Sequence, residues 1–337
     1  MPESSFKIAI PMAGWGTRMR PHTWSKPKPL IGLAGKAVLD YVIDQFDSVP
    51  NRQNAEFVFI VGPQGDQVRT YMDHHYPDTT AHYVLQSEMR GQSDALFLAR
   101  EYLHGPVLMA FSDTLIETDL SFLKDETCDV LAWVKRVEDP RRFGVAEINS
   151  AGLVTRLIEK PQDIHNNLVV VGFYYFKSGE QLIAAIEEQM RRKVTLRGEF
   201  FLTDAINILL EQGICMRTRE IQTWLDAGTI DALLETNQYL LTNRADNSAE
   251  IPPKPGVSII PPVYIHPSAR IEACAIGPYV SVGRDCSLSQ AVIKNSILED
   301  GTQITRMILE DSVVGSNVRL VGQATRLNLG DNSWAQS

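Results

Sequence analysis

The 337-residue sequence has only four cysteines, Cys128, Cys215, Cys274 and Cys286, and no two of them form a C-x-x-C pair. That excludes a zinc ribbon or a dithiol redox motif, and all four are expected as reduced thiols in a cytoplasmic protein. Long apolar runs are also lacking. The opening MPESSFKIAIPMAG has an apolar stretch shorter than the ~7 residues of a secretory leader, and no later run approaches the ~18 of a membrane helix. Neither secretion nor membrane spanning is expected. Positive charge is in deficit, with 32 Lys+Arg against 41 Asp+Glu and a formal net charge of −9. Such a chain repels a nucleic-acid backbone, so an anionic small molecule has to be held by locally placed cations. The seven histidines, including the adjacent His74 and His75, show no metal-ligand spacing and are read as surface residues.

What is present is ample core-forming material. Apolar residues make up 44% and charged residues 22%, which is the composition of a globular chain and not of a disordered one. At roughly 150 residues per domain, the length suggests about two domains. Up to residue 240, β-branched runs at 6–11, 57–61, 82–86, 107–111, 130–135 and 169–176 alternate with amphipathic stretches at 38–46, 93–102, 180–191 and 203–212. This pattern predicts an α/β domain with a Rossmann-like, mainly parallel sheet and helices on both faces. Ligands of such sheets bind beyond the carboxyl ends of the strands, so chemistry is sought just after each strand.

The pattern then changes. Residues 241–258 are polar and then proline-rich, as expected of a linker. Beyond them an apolar residue recurs about every six positions, at Ile265 and Ile271, at Ile276, Val282 and Leu288, and at Val314 and Leu320. A hexapeptide period predicts a β-helix over 259–330, with about eighteen residues per coil and roughly four coils. The competing reading is a β-sandwich tail. Stacked coils with open ends also predict subunit contacts, hence a homo-oligomer.

The densest signal follows the first strand run. Ala13-Gly14-Trp15-Gly16-Thr17-Arg18 leads to Arg20-Pro21, Thr23 and Lys26-Pro27-Lys28-Pro29-Leu30. Glycines let a backbone approach phosphate closely, and successive N–H groups can cradle its oxygens. Arg18, Arg20 and Lys28 supply the cations the chain otherwise lacks. No Gly-Lys-Ser/Thr follows, so this is not a Walker loop, and a third glycine for a dinucleotide fingerprint is missing.

With this loop the chain resembles the sugar-1-phosphate nucleotidyltransferases. The resemblance continues through Gln86 with Gly91, Phe111-Ser112-Asp113, Arg142-Phe143-Gly144-Val145, Glu159-Lys160-Pro161, Val171-Gly172, Arg197-Gly198-Glu199 with Leu202-Thr203-Asp204, and Trp224-Leu225-Asp226-Ala227-Gly228-Thr229. The hexapeptide tail looks like the left-handed β-helix of longer members. The resemblance implies attack of a sugar-1-phosphate oxygen on the α-phosphorus of a nucleoside triphosphate, releasing pyrophosphate. Two anions must be brought together in line, which needs positioning and charge neutralisation more than an acid or base.

On that reading Arg18, Lys28, Asp113, Lys160 and Asp226 carry the chemistry. Arg18 clamps the triphosphate, Lys28 meets the α-phosphate or pyrophosphate, and Lys160 pairs with the sugar phosphate. Asp113 and Asp226 form a hard oxygen site suited to Mg²⁺. Ser112-Asp113 stands where the family usually has Gly-Asp. Ala13, Gly14, Gly16, Thr17, Gln86 and Gly91 hold the nucleotide, and Gly144, Glu159 and Gly172 hold the sugar. The amide of Gln86 can pair with both the carbonyl and the N–H of uracil or thymine. The most similar members are glucose-1-phosphate thymidylyltransferases; the alternatives are UTP–glucose-1-phosphate uridylyltransferase and then mannose-1-phosphate guanylyltransferase. From other classes come a non-catalytic sensor of nucleotide sugars and an acyltransferase in the coils, the latter disfavoured because His266 is the only histidine there.

Overall fold

The structure, a computed structural model, describes residues 5–323; residues 324–330 of the expected β-helix lie outside that range. It divides into two units, one of residues up to Ile31 with Lys36–Thr236, the other of Gly32–Gly35 with residues from Asn237 onward. In chain order the first elements are β1 (Lys7–Met12), β2 (Gly32–Leu33), β3 (Lys36–Ala37), α1 (Val38–Asp44), β4 (Glu56–Val61), α2 (Gly65–His75), β5 (Ala81–Leu85) and α3 (Gln92–Leu98). There follow β6 (Val107–Ala110), β7 (Thr114–Ile116), β8 (Val130–Arg136), β9 (Gly144–Ile148), β10 (Val154–Glu159) and β11 (Leu168–Phe176). The series closes with α4 (Gly179–Arg192), α5 (Leu202–Glu211), β12 (Met216–Glu220), β13 (Trp224–Asp226) and α6 (Ile230–Leu240).

The first unit is built on a nine-stranded sheet with the order β10-β9-β11-β6-β1-β4-β5, to which β8 and β12 are added through β11. The strands β6, β1, β4 and β5 are parallel neighbours. The long, wholly buried β11 runs antiparallel to β6, β8 and β9, so the sheet is mixed at this side. From β1 the chain moves to β4 and β5 on one flank, then crosses to β6 on the other. The strand order therefore reverses at β1 and β6, and the crevice beyond their carboxyl ends is where a ligand is expected in such a sheet.

Alternation along the strands commits the two faces to different partners. Ala9, Val58, Ile60, Val107, Met109 and Val134 form one core cluster with the apolar stripes of α3, α4 and α5. From the other parity, Phe57 and Phe173 pack on Phe46, just past α1, with ring centroids 6.0 and 5.4 Å apart.

Two cysteines depart from the expectation of four thiols. Cys128 precedes β8 and Cys215 precedes β12, and these strands pair in parallel with Val130 opposite Met216. The pairing brings the two cysteines to a Cα–Cα distance of 5.2 Å, where they form a disulfide. Nothing in a separation of 87 residues betrays that neighbourhood. Cys274 and Cys286 remain buried free thiols.

The second unit contains three parallel four-stranded sheets, as a β-helix requires. Its inward column includes Ile271, Leu288 and Ile304, stacked directly in register. The register gives 17 residues for one coil and 16 for the next, because Ile271 pairs with Leu288 and Leu288 with Ile304. The expected eighteen is too long. Shortened corners supply the difference, several of them held by non-glycine residues with positive φ such as Asn295, Asp311 and Asn317. These corners explain the slipping six-residue period.

The stretch 241–258, expected as a linker, is packed within this unit. Leu241–Ala245 continues α6 as a π turn with Leu241 fully buried, and the Asn247 side chain bonds the backbone N–H and C=O of Ile265, each at 2.9 Å. Gly32–Gly35 is held here as well. Gly32 N donates to Glu299 Oε1 at 2.9 Å and Ala34 N to Asn237 Oδ1 at 3.1 Å.

Candidate active site

The loop after β1 is shaped by glycine and threonine. Gly16 takes a left-handed φ of +58°, and a Cβ there would stand 2.8 Å from Thr23 Cγ2. Thr23 Oγ1 donates to Gly16 O at 2.9 Å, tying the loop to the P-H-T segment. Thr17–Met19 then form a 3-10 turn with Met19 buried and Arg18 exposed. A second cleft wall comes from β4: Gly62 lies so near Ala13 that a Cβ on it would be 2.6 Å from Ala13 O. Ala13, Gly14, Trp15, Gly62 and Gln64 line a cleft at the ends of β1 and β4.

Asp113 follows β6, and Asp226 ends β13, which pairs antiparallel with β7 so that Asp226 is opposite Thr114. Ala227 N donates to Asp113 O at 2.9 Å, and Thr236 Oγ1 from α6 donates to Asp226 O at 2.7 Å. The two carboxylates face one gap: a Cβ placed on Gly228 would stand 2.7 Å from Asp226 Oδ1 and 3.3 Å from Asp113 Oδ2. Lys28 Nζ forms an ion pair with Asp113 Oδ2. The surrounding protein and then the neighbouring Asp113 push the Asp226 carboxyl above its ordinary range, against the pull of Lys28, the Gly228 N–H and Arg18. Asp226 is nevertheless exposed, as a group facing a crevice is. Expected site residues from three distant stretches thus meet beyond β1 and β6.

At the end of β5, Gln86 is buried and its Nε2 donates to Gly91 O at 3.2 Å and to Asp94 Oδ2 at 3.0 Å. Both amide hydrogens are therefore engaged within the protein. The expectation that this amide also donates to a base carbonyl does not fit the geometry; what remains is its acceptor oxygen. Asp94 lies in the first turn of α3, where nothing in its sequence context marks it. Gly91 has φ +104°, and a Cβ on it would be 2.4 Å from Phe200 O. Gly91→Ala is expected to cost about 1–3 kcal/mol of backbone strain in addition to breaking this contact, which thermal unfolding of the variant will measure.

A third group lies on β9, β10 and the start of α5. Gly144 is opposite Glu159 in the β9–β10 register, and a Cβ on Gly144 would stand 3.2 Å from Glu159 Oε2. Thr203 Oγ1 donates to that same oxygen at 3.4 Å. Burial raises the Glu159 carboxyl above its usual range. Lys160, at a left-handed φ of +48°, holds its ammonium 4.4 Å from the Phe201 ring centroid and 4.0 Å from Glu159 Oε1. The Trp224 indole packs edge-on against Phe143, and its buried Nε1 has no hydrogen-bond partner among the described residues. Gly172 (φ +80°) lies against Phe111, whose Cδ2 would be 2.1 Å from an added Cβ. Its visible task is to seat that ring beside Asp113.

The family comparison agrees with this geometry. Residues 9–243 match the family model described as nucleotidyl transferase. The chain belongs to the nucleotidyl transferase family. Residues 259–331 match a model described as the GMPPB C-terminal domain. A glucose-1-phosphate thymidylyltransferase of Streptomyces griseus is 27% identical over 98% of this chain and 99% of its own length. A UTP–glucose-1-phosphate uridylyltransferase of Haloferax volcanii is 28% identical over 68% of this chain and 93% of its own. Among solved structures, a UDP-glucose pyrophosphorylase complexed with UDP-glucose superposes with a TM-score of 0.60 at 20% identity, covering 72% of this nucleotidyltransferase and 100% of that chain. At that identity the likeness is one of fold. The resemblance to sugar-1-phosphate nucleotidyltransferases stands.

Among the described residues no group of three or more His, Cys, Asp or Glu side chains gathers as a metal cage. The Asp113–Asp226 pair does suit a cation. Two carboxylates face one gap, and their mutual repulsion is one cause of the raised Asp226 carboxyl. Triphosphate oxygens would complete such a hard site.

Proposed function

We propose that this nucleotidyltransferase transfers a thymidylyl group from dTTP to glucose-1-phosphate, giving dTDP-glucose and pyrophosphate. The observation that carries nucleotidyl transfer is the convergence of Lys28, Asp113 and Asp226 beyond β1 and β6, beside the glycine loop; the choice of thymidylyl and glucose is supported by the likeness over 98% of the chain to a glucose-1-phosphate thymidylyltransferase. Ala13, Gly14, Gly16 and Thr17 border the phosphates, and Arg18 and Lys28 offset their charge as the in-line transfer proceeds. Asp113 and Asp226 would hold Mg²⁺, which when bound supplies positive charge to the triphosphate oxygens. Glu159, kept in place by Thr203, accepts from sugar hydroxyls, and Lys160 meets the sugar phosphate from its strained position at the end of β10. Catalysis is assigned to residues 1–240 and assembly of a homo-oligomer to the coils from 259 onward.

Uridylyl transfer from UTP is the second reading, favoured by the likeness to a uridylyltransferase along the catalytic part. Pyrophosphate release for dTTP, UTP, CTP, GTP and ATP, each with glucose-1-phosphate and mannose-1-phosphate, tests both. The highest kcat/KM is expected for dTTP with glucose-1-phosphate, with loss of turnover in EDTA. A preference for GTP with mannose-1-phosphate would overturn the assignment.

Gln86→Glu probes the base contact. A carboxylate there would face Gly91 O and Asp94 Oδ2, both acceptors, in a buried place. The expected penalty is about 1–3 kcal/mol, read as a lower melting temperature, and with the carboxylate displaced from its seat the preference for dTTP over dCTP is expected to fall. An unchanged melting temperature together with an unchanged preference would remove Gln86 from the base site.

A further inference from the structure

Gln86 and Asp94 are both buried, 5% and 6% exposed. An amide placed against two groups that only accept can be satisfied in one orientation alone. Gly91 O and Asp94 Oδ2 are such groups, at 3.2 and 3.0 Å from Gln86 Nε2. Rotating the amide by half a turn would set Oε1 against both of them, leaving acceptor facing acceptor where water does not screen the repulsion. The two acceptors are themselves fixed. The other Asp94 oxygen, Oδ1, takes Arg90 Nη2 at 3.1 Å. The Gly91 peptide is braced by Phe200, whose N donates to Arg90 O at 2.8 Å and whose O accepts from Ser93 N at 3.1 Å.

We propose that Asp94 is a positioning residue for nucleobase choice, holding the Gln86 amide so that the site presents an acceptor. The inference rests on the reading of Gln86 as the base contact. An acceptor suits a ring whose edge carries an N–H, as N3–H does in uracil and thymine, and opposes cytosine, whose N3 is itself an acceptor. Uracil and cytosine share one ring outline and differ in the polarity of N3 and of the group at C4, so between them the discrimination is one of hydrogen-bond polarity and not of fit. Sites that hydrogen-bond a substrate group reject the analogue lacking it strongly, because a buried partner is left unpaired. Asp94 also favours the first turn of α3 through the helix dipole, a structural role that would be blind to the base.

Asp94→Asn separates the two roles. Its single oxygen is claimed by the Arg90 guanidinium, which only donates, so its NH₂ turns to Gln86 and favours the reversed amide. The ratio of kcat/KM for dTTP over dCTP is expected to fall by about tenfold or more. Adding Arg90→Met frees the asparagine oxygen to accept from Gln86 again, and the ratio is expected to recover in the double variant. A folded Asp94→Asn protein with an unchanged ratio overturns the inference, as does a ratio that falls and does not recover. Should Asp94→Asn not fold, Asp94→Ser removes one restraint on the amide. A fall of about threefold or more then supports the inference, and an unchanged ratio overturns it. The wild-type protein distinguishes the failures. If it uses GTP and neither dTTP nor UTP, the pyrimidine reading falls, and the same variants are read on GTP over ATP, whose edges differ in the same polarity.

Discussion

Asp226→Asn is expected to lower turnover by about a hundredfold or more while leaving the metal-free protein as stable as before or more so. The substitution keeps the shape of the side chain, including an oxygen able to accept from Gly228 N, which lies 2.7 Å from Asp226 Oδ1. It removes a charge that burial and Asp113 both disfavour. The sign for stability follows from the raised carboxyl. A group whose folded pKa lies above its unfolded value binds more protons when folded, so its ionisation reduces stability as pH rises through that interval. At pH 7 an ionised Asp226 is therefore a small cost to the fold, screened by its exposure to solvent, and an amide relieves it. Steady-state pyrophosphate release at saturating Mg²⁺, with thermal unfolding in EDTA at pH 7, measures both halves. Near-normal kcat would remove Asp226 from the chemistry, and a melting temperature several degrees lower would make the carboxylate structural.

Lys28→Met is expected to harm both activity and stability, which sets it apart. Lys28 lies in a short 3-10 turn between Pro27 and Pro29, with Ile31 N donating to its carbonyl, so its backbone is held independently of its charge. Its side chain is 10% exposed and that of Asp113 25%. Removing the cation leaves Asp113 and Asp226 repelling each other across one gap. Breaking a fully buried pair costs about 3–5 kcal/mol, and the partial exposure of Asp113 reduces this to roughly 1–3. With Lys28 in the proposed path of the phosphates, its loss is expected to lower kcat/KM by about 10²–10³. The same unfolding and kinetic measurements apply, with Lys28→Arg as comparison. A variant that keeps its kcat/KM would show that Lys28 only neutralises Asp113.

The loop within the first thirty residues is legible because its groups are consecutive: its glycine, threonine and arginine need only a strand before them. Asp113 and Asp226 can be named from their motifs, but their meeting is implied only by the family resemblance and is hidden in the residues themselves, since it depends on the antiparallel pairing of β13 with β7. The disulfide is hidden for the same reason, being made by the parallel pairing of β12 with β8. The contact of Asp94 with Gln86 is not legible because an acidic residue in the first turn of a helix is ordinary, and Gln86 comes from the end of a strand. The parallel core strands read well as continuous apolar runs. Strands β9 and β10 carry exposed positions and are mixed in polarity, so their antiparallel addition to the sheet is not legible, although a short strand over Thr155 to Ile158, before Glu159, is. In the coils the apolar column was plain, whereas the corner residues that shorten each turn were not.

Gly32–Gly35 has a consequence for biosynthesis. Its hydrogen-bond partner Asn237 is separated from Ala34 by 203 residues, and Glu299 from Gly32 by 267. At ~5–20 residues per second, translation takes roughly 13–50 s to supply Glu299 after Gly32 has been made. The four-residue segment thus emerges long before the coils that hold it. A chain halted after the catalytic strands but before residue 299 lacks one of the anchors of a segment that begins four residues after Lys28. Gly32 therefore completes its hydrogen bonding only after the coil that carries Glu299 has been synthesised.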